Sequence, residues 1–168
     1  MLLLATLALP GCADRKPLDP AADPQLQAYV DLVMPEKVEI QRFLTKPVSF
    51  AGDGAADGLE AILAVYDTAG DLTKMAGTCH FALETRKPSE TIGAQVGFWR
   101  IELTSEEAMR EYRDNLSRYY GFPLLLPHKP LPAGTYVLSV WLHLPAGRRL
   151  YDEYQFTYDG TGAPPRGL

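Results

Sequence analysis

The sequence predicts a mainly β domain made of two packed antiparallel sheets, with one short helix ahead of the strands and one amphipathic helix inserted among them. Three observations carry this expectation. Apolar and polar residues alternate in TCHFALE (78–84), GFWRIEL (97–103), TYVLSVWLHL (135–144) and RLYDEYQFTY (149–158), the period-two signature of half-buried strands. About seven or eight extended runs are separated by turns rich in Gly, Pro, Asp and Lys, the spacing of a sandwich. The chain has 168 residues, so a single domain over 25–160 is long enough to bury a core without disulfides or metal.

Each element has a local reason. Asp23-Pro24 supplies an N-cap and a proline at the first helical position, Leu26, Tyr29, Val30 and Val33 recur at helical spacing, and Pro35 stops the helix. KVEIQRF (37–43) and KPVSF (46–50) are short extended runs, and the proline in the second fits an edge strand. GLEAILAVY (58–66) is apolar on both faces, which predicts a central strand. In 78–84, Cys79, Phe81 and Leu83 share the inward face, so Cys79 is expected to be a buried, inert thiol. Trp99, Ile101 and Leu103 share a face of 97–103. Thr104-Ser105-Glu106-Glu107 reads as a capping box in which the Thr104 hydroxyl accepts from the Glu107 amide. The helix it opens, about 105–117, carries Met109, Tyr112 and Leu116 on one side and the Glu106, Arg110 pair on the other. Prolines 123 and 127 put the run 119–126 at a sheet edge, and Pro145-Ala146-Gly147 joins the last two strands as a hairpin. Residues 161–168 are expected to form a flexible tail.

The segment Pro132 to Leu138, with Gly134 and Tyr136 at a strand entry, resembles the tyrosine-corner region of immunoglobulin-like domains. The resemblance implies an antiparallel Ig-like β-sandwich of about 7–8 strands, in which the Tyr136 hydroxyl bonds backbone across the corner rather than a ligand.

At the N-terminus, Leu2 to Leu9 is apolar except for Thr6, far short of the roughly 20 residues needed to span a bilayer, and reads as the hydrophobic part of a secretory signal. Leu9-Pro10-Gly11-Cys12 resembles the lipobox of bacterial lipoproteins. The resemblance implies cleavage between Gly11 and Cys12, lipid on the Cys12 thiol, and residence in the bacterial cell envelope. On this reading 1–11 is a signal peptide and 12–24 a lipidated cysteine with a flexible tether. Ala13 after the cysteine implies outer-membrane sorting in a Gram-negative host. The covalent lipid is the only prosthetic group expected.

Chemistry is sparsely signalled. A net charge of −5 and the lack of a long basic run argue against nucleic acid as a partner. The acidic loops 51–58 and 67–71 suggest calcium, but they miss the EF-hand pattern and lie at opposite ends of one strand, so they read as turns. His80, His128 and His143 lack metal-ligand spacing, and no metal is expected. There is no G-x-S-x-G elbow, P-loop or dinucleotide fingerprint, so no enzyme is expected. The remaining lead is aromatic: Trp141, His143 and Tyr151 form a binding strip if their face meets solvent, and packing if it lies between sheets or under the 105–117 helix. The expected role is non-catalytic, an accessory subunit of an envelope protein complex; the alternative is a surface glycan-binding module. An outward aromatic strip flanked by polar groups favours the glycan, and a broad apolar patch or unpaired edge strand near 119–126 favours a protein partner.

Overall fold

The alternation becomes two antiparallel sheets in the computed structural model, which describes residues 22–86, 93–127 and 130–165. The expected signal peptide, Gly11, Cys12, most of the tether and His128 lie outside the described residues. The elements run α1 (Pro24–Val33), β1 (Lys37–Ile40), β2 (Lys46–Val48), β3 (Gly58–Tyr66), β4 (Gly77–Thr85), β5 (Gln95–Leu103), α2 (Glu106–Tyr112), β6 (Tyr120–Leu125), β7 (Gly134–His143) and β8 (Arg149–Tyr158).

In the first sheet β3 is central, as its two apolar faces require. β2 pairs with its first half and β1 with its second, while β6 runs along its other edge. The second sheet has the order β5, β4, β7, β8. Their inner faces meet in one core: Leu59, Ala61, Leu63 and Val65 of β3 and Phe122 and Leu124 of β6 face Cys79, Phe81 and Leu83 of β4 and Leu138, Val140 and Leu142 of β7. The Phe81 and Phe122 rings join the sheets, with centroids 5.1 Å apart.

Both open sides of the sandwich are closed. On one, Ala108, Met109 and Tyr112 of α2 pack against the core, the Tyr112 ring stacks on Phe122 at 5.0 Å, and the Trp99 indole N–H donates to the Leu125 carbonyl at 2.8 Å. On the other, the Ile40 amide donates to Asp152 Oδ2 at 2.7 Å and ties β1 to β8. The Tyr136 hydroxyl donates to the Pro132 carbonyl at 2.7 Å, the backbone bond its position predicts.

Three local expectations are corrected. β1 ends at Ile40 rather than 43, because the Leu44 and Thr45 amides turn back onto the Gln41 carbonyl at 3.0 and 2.8 Å, leaving Phe43 at the tip. α2 is capped by Ser105, whose hydroxyl accepts from the Ala108 amide at 3.1 Å, not by Thr104, and it ends at Tyr112 rather than 117. The Asp114 carboxylate takes the Leu116 and Ser117 amides at 3.1 and 2.6 Å, a side-chain turn that outcompetes another helical turn and leaves Leu116 exposed. The expected tail is docked over 161–165: the Ala163 amide donates to Gly54 O at 2.8 Å and the Ser49 amide to Pro164 O at 3.0 Å.

Candidate binding face

The outer face of the β5, β4, β7, β8 sheet collects the aromatic residues that strand parity sends outward. Register sets Trp141 between His80 of β4 and Tyr151 of β8, with Arg100 of β5 beyond His80. The next row is Glu102, Thr78, His143 and Arg149; on the other side of the Trp141 row lie Phe98, Ala82, Ser139 and Glu153. Trp141, His143 and Tyr151 therefore share one face, as the sequence proposed. The Trp141 and Tyr151 rings lie 5.4 Å apart and tilted by 39°. His80 and His143 are 4.6 Å apart, and His80 and Phe98 5.9 Å.

This face meets solvent. Phe98 and Tyr151 are 52% and 50% exposed, and Trp141, His80 and His143 are half-buried. The inserted helix does not cover it: α2 packs between β5 and β6. The apolar side of β7, Tyr136, Leu138, Val140 and Leu142, takes the core and leaves Trp141 on the opposite side. At the end of the strip the Gly77 backbone, at φ +138, runs so close to the His143 carbonyl that a Cβ would collide with it.

Polar groups frame the rings. Arg100 donates to Glu102 and the Tyr151 hydroxyl to Glu153, each at 2.6 Å. Burial is the main cause lowering the His80 pKa, and the neighbouring His143, Arg100 and Arg149 lower it further, so this imidazole is neutral at pH 7. Burial chiefly, with the hydrogen bond to Glu153, raises the Tyr151 phenol. Sequence reasoning missed His80, Phe98 and Arg100 as members. Their outward parity was legible, but which strands lie side by side was not.

The other candidates resolve into local structure. Cys79 is fully buried, and burial pushes its thiol up to about 12. In the acidic loops the carboxylates serve their own turns. Asp57 accepts from the Phe50 and Ala51 amides at 2.7 and 3.0 Å, and Asp67 from the Ala69 and Asp71 amides at 3.0 Å each. The Ala55 amide and the Ser49 hydroxyl hold the Asp53 carboxyl below the usual range. Among the described residues no group of three or more His, Cys, Asp or Glu is placed to hold a metal ion. A cleft of ≈ 520 Å³ opens on the outer side of the first sheet between Leu44, Ile62, Tyr112 and Tyr119. Compared with protein-family models, with curated proteins and with solved structures, the chain finds no match in any of the three.

Proposed function

We propose that this protein is a membrane-anchored envelope lipoprotein whose β-sandwich binds polysaccharide, without catalysis, on the outer face of the β5, β4, β7, β8 sheet. The observation that carries the reading is the Trp141 and Tyr151 ring pair on an exposed sheet, continued by His143, His80 and Phe98 and framed by Arg100, Glu102 and Glu153. A sugar presents an apolar C–H face to such rings while its hydroxyls exchange hydrogen bonds with guanidinium and carboxylate groups at the rim. The flat, partly polar surface suits an extended ligand. The lipobox supports the anchor, and the twelve residues from Cys12 to the helix cap Asp23 reach about 40 Å when extended. No helix among the described residues is long and apolar enough to cross a membrane.

The strand order supports an Ig-like sandwich. β1 and β2 together, β3 and β6 take the places of strands A, B and E, and β5, β4, β7 and β8 those of C′, C, F and G. Tyr136, bonded to Pro132, then stands at the entry of strand F, where the tyrosine corner belongs.

The test is retention of the protein by wall and surface polysaccharide from its own cells, for the parent and for Trp141→Ala. Retention that falls about tenfold in the variant, with an unchanged unfolding midpoint, supports the reading. Retention of neither protein, or of both equally, overturns it. Intact mass of the membrane-extracted protein tests the anchor separately; an unmodified chain beginning at Met1 refutes it.

A second reading, the subunit of an envelope protein complex, is favoured by a different surface. Phe43 is fully exposed and Leu116 95% exposed, and Leu44 lines the ≈ 520 Å³ cleft. Cross-linking in intact cells that captures one reproducible protein, and loses it with Phe43→Ser, moves the assignment to that reading.

A further inference from the structure

We infer that the cleft between the end of α1, the 72–76 segment and the 113–118 turn is a second ligand site, one for a phosphate group carried on an apolar moiety. The cleft encloses ≈ 470 Å³ and is lined by the cations Lys74, Arg113 and Arg118 and by apolar side chains that include Val33, Pro35 and Leu72; no acidic residue lines it. This concentration of positive charge stands out in a chain of net charge −5. Two acids close to it are engaged elsewhere: Glu106 pairs with Arg110 at 2.6 Å, and Asp114 accepts from its own turn.

Arg113 supplies the independent observation. Its Nε is buried and has no hydrogen-bond partner among the described residues, while its guanidinium carbon lies 6.0 Å from the centre of the Tyr120 ring. A charged donor left unpaired carries a cost, and the guanidinium to which it belongs lines the cleft, where an oxyanion can pair with it. Arg113 and Lys74 also line the adjoining cleft of ≈ 160 Å³, together with the Glu106 and Arg110 pair, so the two cations stand between both openings. Arg118 adds a second sign of constraint. At φ +64 it is the sole non-glycine residue with positive φ among those described, a conformation that costs an L-residue with a Cβ and would suit glycine better. The Arg118 amide bond to the Asp114 carbonyl, 2.9 Å, closes the turn that holds it. Three cations, none of them in an ion pair among the described residues, specify the oxyanion, and the Val33, Pro35, Leu72 wall specifies an apolar group beside it. A phosphodiester lipid headgroup has this chemistry, and so in part does free phosphate.

The experiment titrates the full chain carrying Cys12→Ser, so that no acyl anchor contributes, with monomeric dihexanoyl phosphatidylglycerol and with inorganic phosphate, by calorimetry. The lipid is expected to bind about tenfold tighter than inorganic phosphate because its first methylenes cover the apolar wall. Arg113→Gln is expected to weaken both probes about tenfold. Arg118→Gly guards against misfolding as the explanation: relieving the positive φ keeps the melting temperature at or above the parent's while lipid affinity falls about fivefold. Failure of both probes to bind at millimolar concentration, or parent-like affinity in both variants, overturns the site. Equal affinity for the two probes overturns its apolar half and leaves a free-phosphate site. None of these outcomes bears on the Trp141 face, which shares no residue with the cleft.

Discussion

His80 shows how a residue with an ordinary sequence context gains an unusual environment. Its strand neighbours announce only an outward position; the structure sets it against His143 and between Arg100 and Arg149. Because its folded pKa is lowered by burial first and by those cations second, the unfolded chain binds the proton more readily. Its contribution to stability is complete above the ordinary histidine value of about 6.5 and is lost as pH falls towards the lowered folded value. A proton titration followed by NMR is expected to place His80 below a free histidine, and His143→Asn to move it back upward. A His80 pKa at or above the free value contradicts the geometry. That Trp141 and His143 share a face of their strand was legible from parity, whereas that the face meets solvent, and the 5.4 Å contact of Trp141 with Tyr151, were not, since they depend on which strands pair and on the β7 and β8 register.

At the scale of elements, strands read well and helix ends poorly. β4, β7 and β8 lie within a residue or so of their alternating runs because one buried face pins the register, and β3 coincides with its run that is apolar on both faces. Helix α2 was legible as a helix, but Thr104 and Ser105 are both residue types that cap helices, and the capping-box spacing from Thr104 to Glu107 picked the wrong one. Ser105→Ala is expected to destabilise the protein by about 1 kcal/mol in urea unfolding, and Thr104→Ala to leave it nearly unchanged. A reversed order would restore the Thr104 cap. Its premature end was written in Asp114, whose carboxylate satisfies backbone amides more cheaply than another helical turn does.

At the scale of the molecule, the sandwich is closed by contacts between residues distant in sequence, and these left no trace in composition or periodicity. Asp152 sits in an alternating strand with nothing in its local sequence to mark it, yet it accepts from the Ile40 amide 112 positions away. Removing it leaves a buried N–H unpaired. Asp152→Ala is therefore expected to lower the unfolding free energy by about 1–3 kcal/mol, with little change in denaturant slope because the same surface is exposed on unfolding. An unchanged midpoint excludes that strut as a closing contact. The docked 161–165 segment was missed for the same reason: its partners, Ser49 and Gly54, lie at the other end of the chain.

Helix α1 buries none of its residues and is held at its far end by the Thr68 and Thr73 hydroxyls, which donate to the Leu32 and Val33 carbonyls at 3.3 and 2.8 Å. A pull applied at its N-cap, Asp23, loads the helix from the end opposite those two bonds. Ten helical residues about 15 Å long extend to about 35 Å when drawn out, so the chain can yield roughly 20 Å of slack before the sheets bear any tension. The same unwinding strips Val33 from the wall of the cationic cleft, so mechanical force and occupancy of that cleft oppose one another.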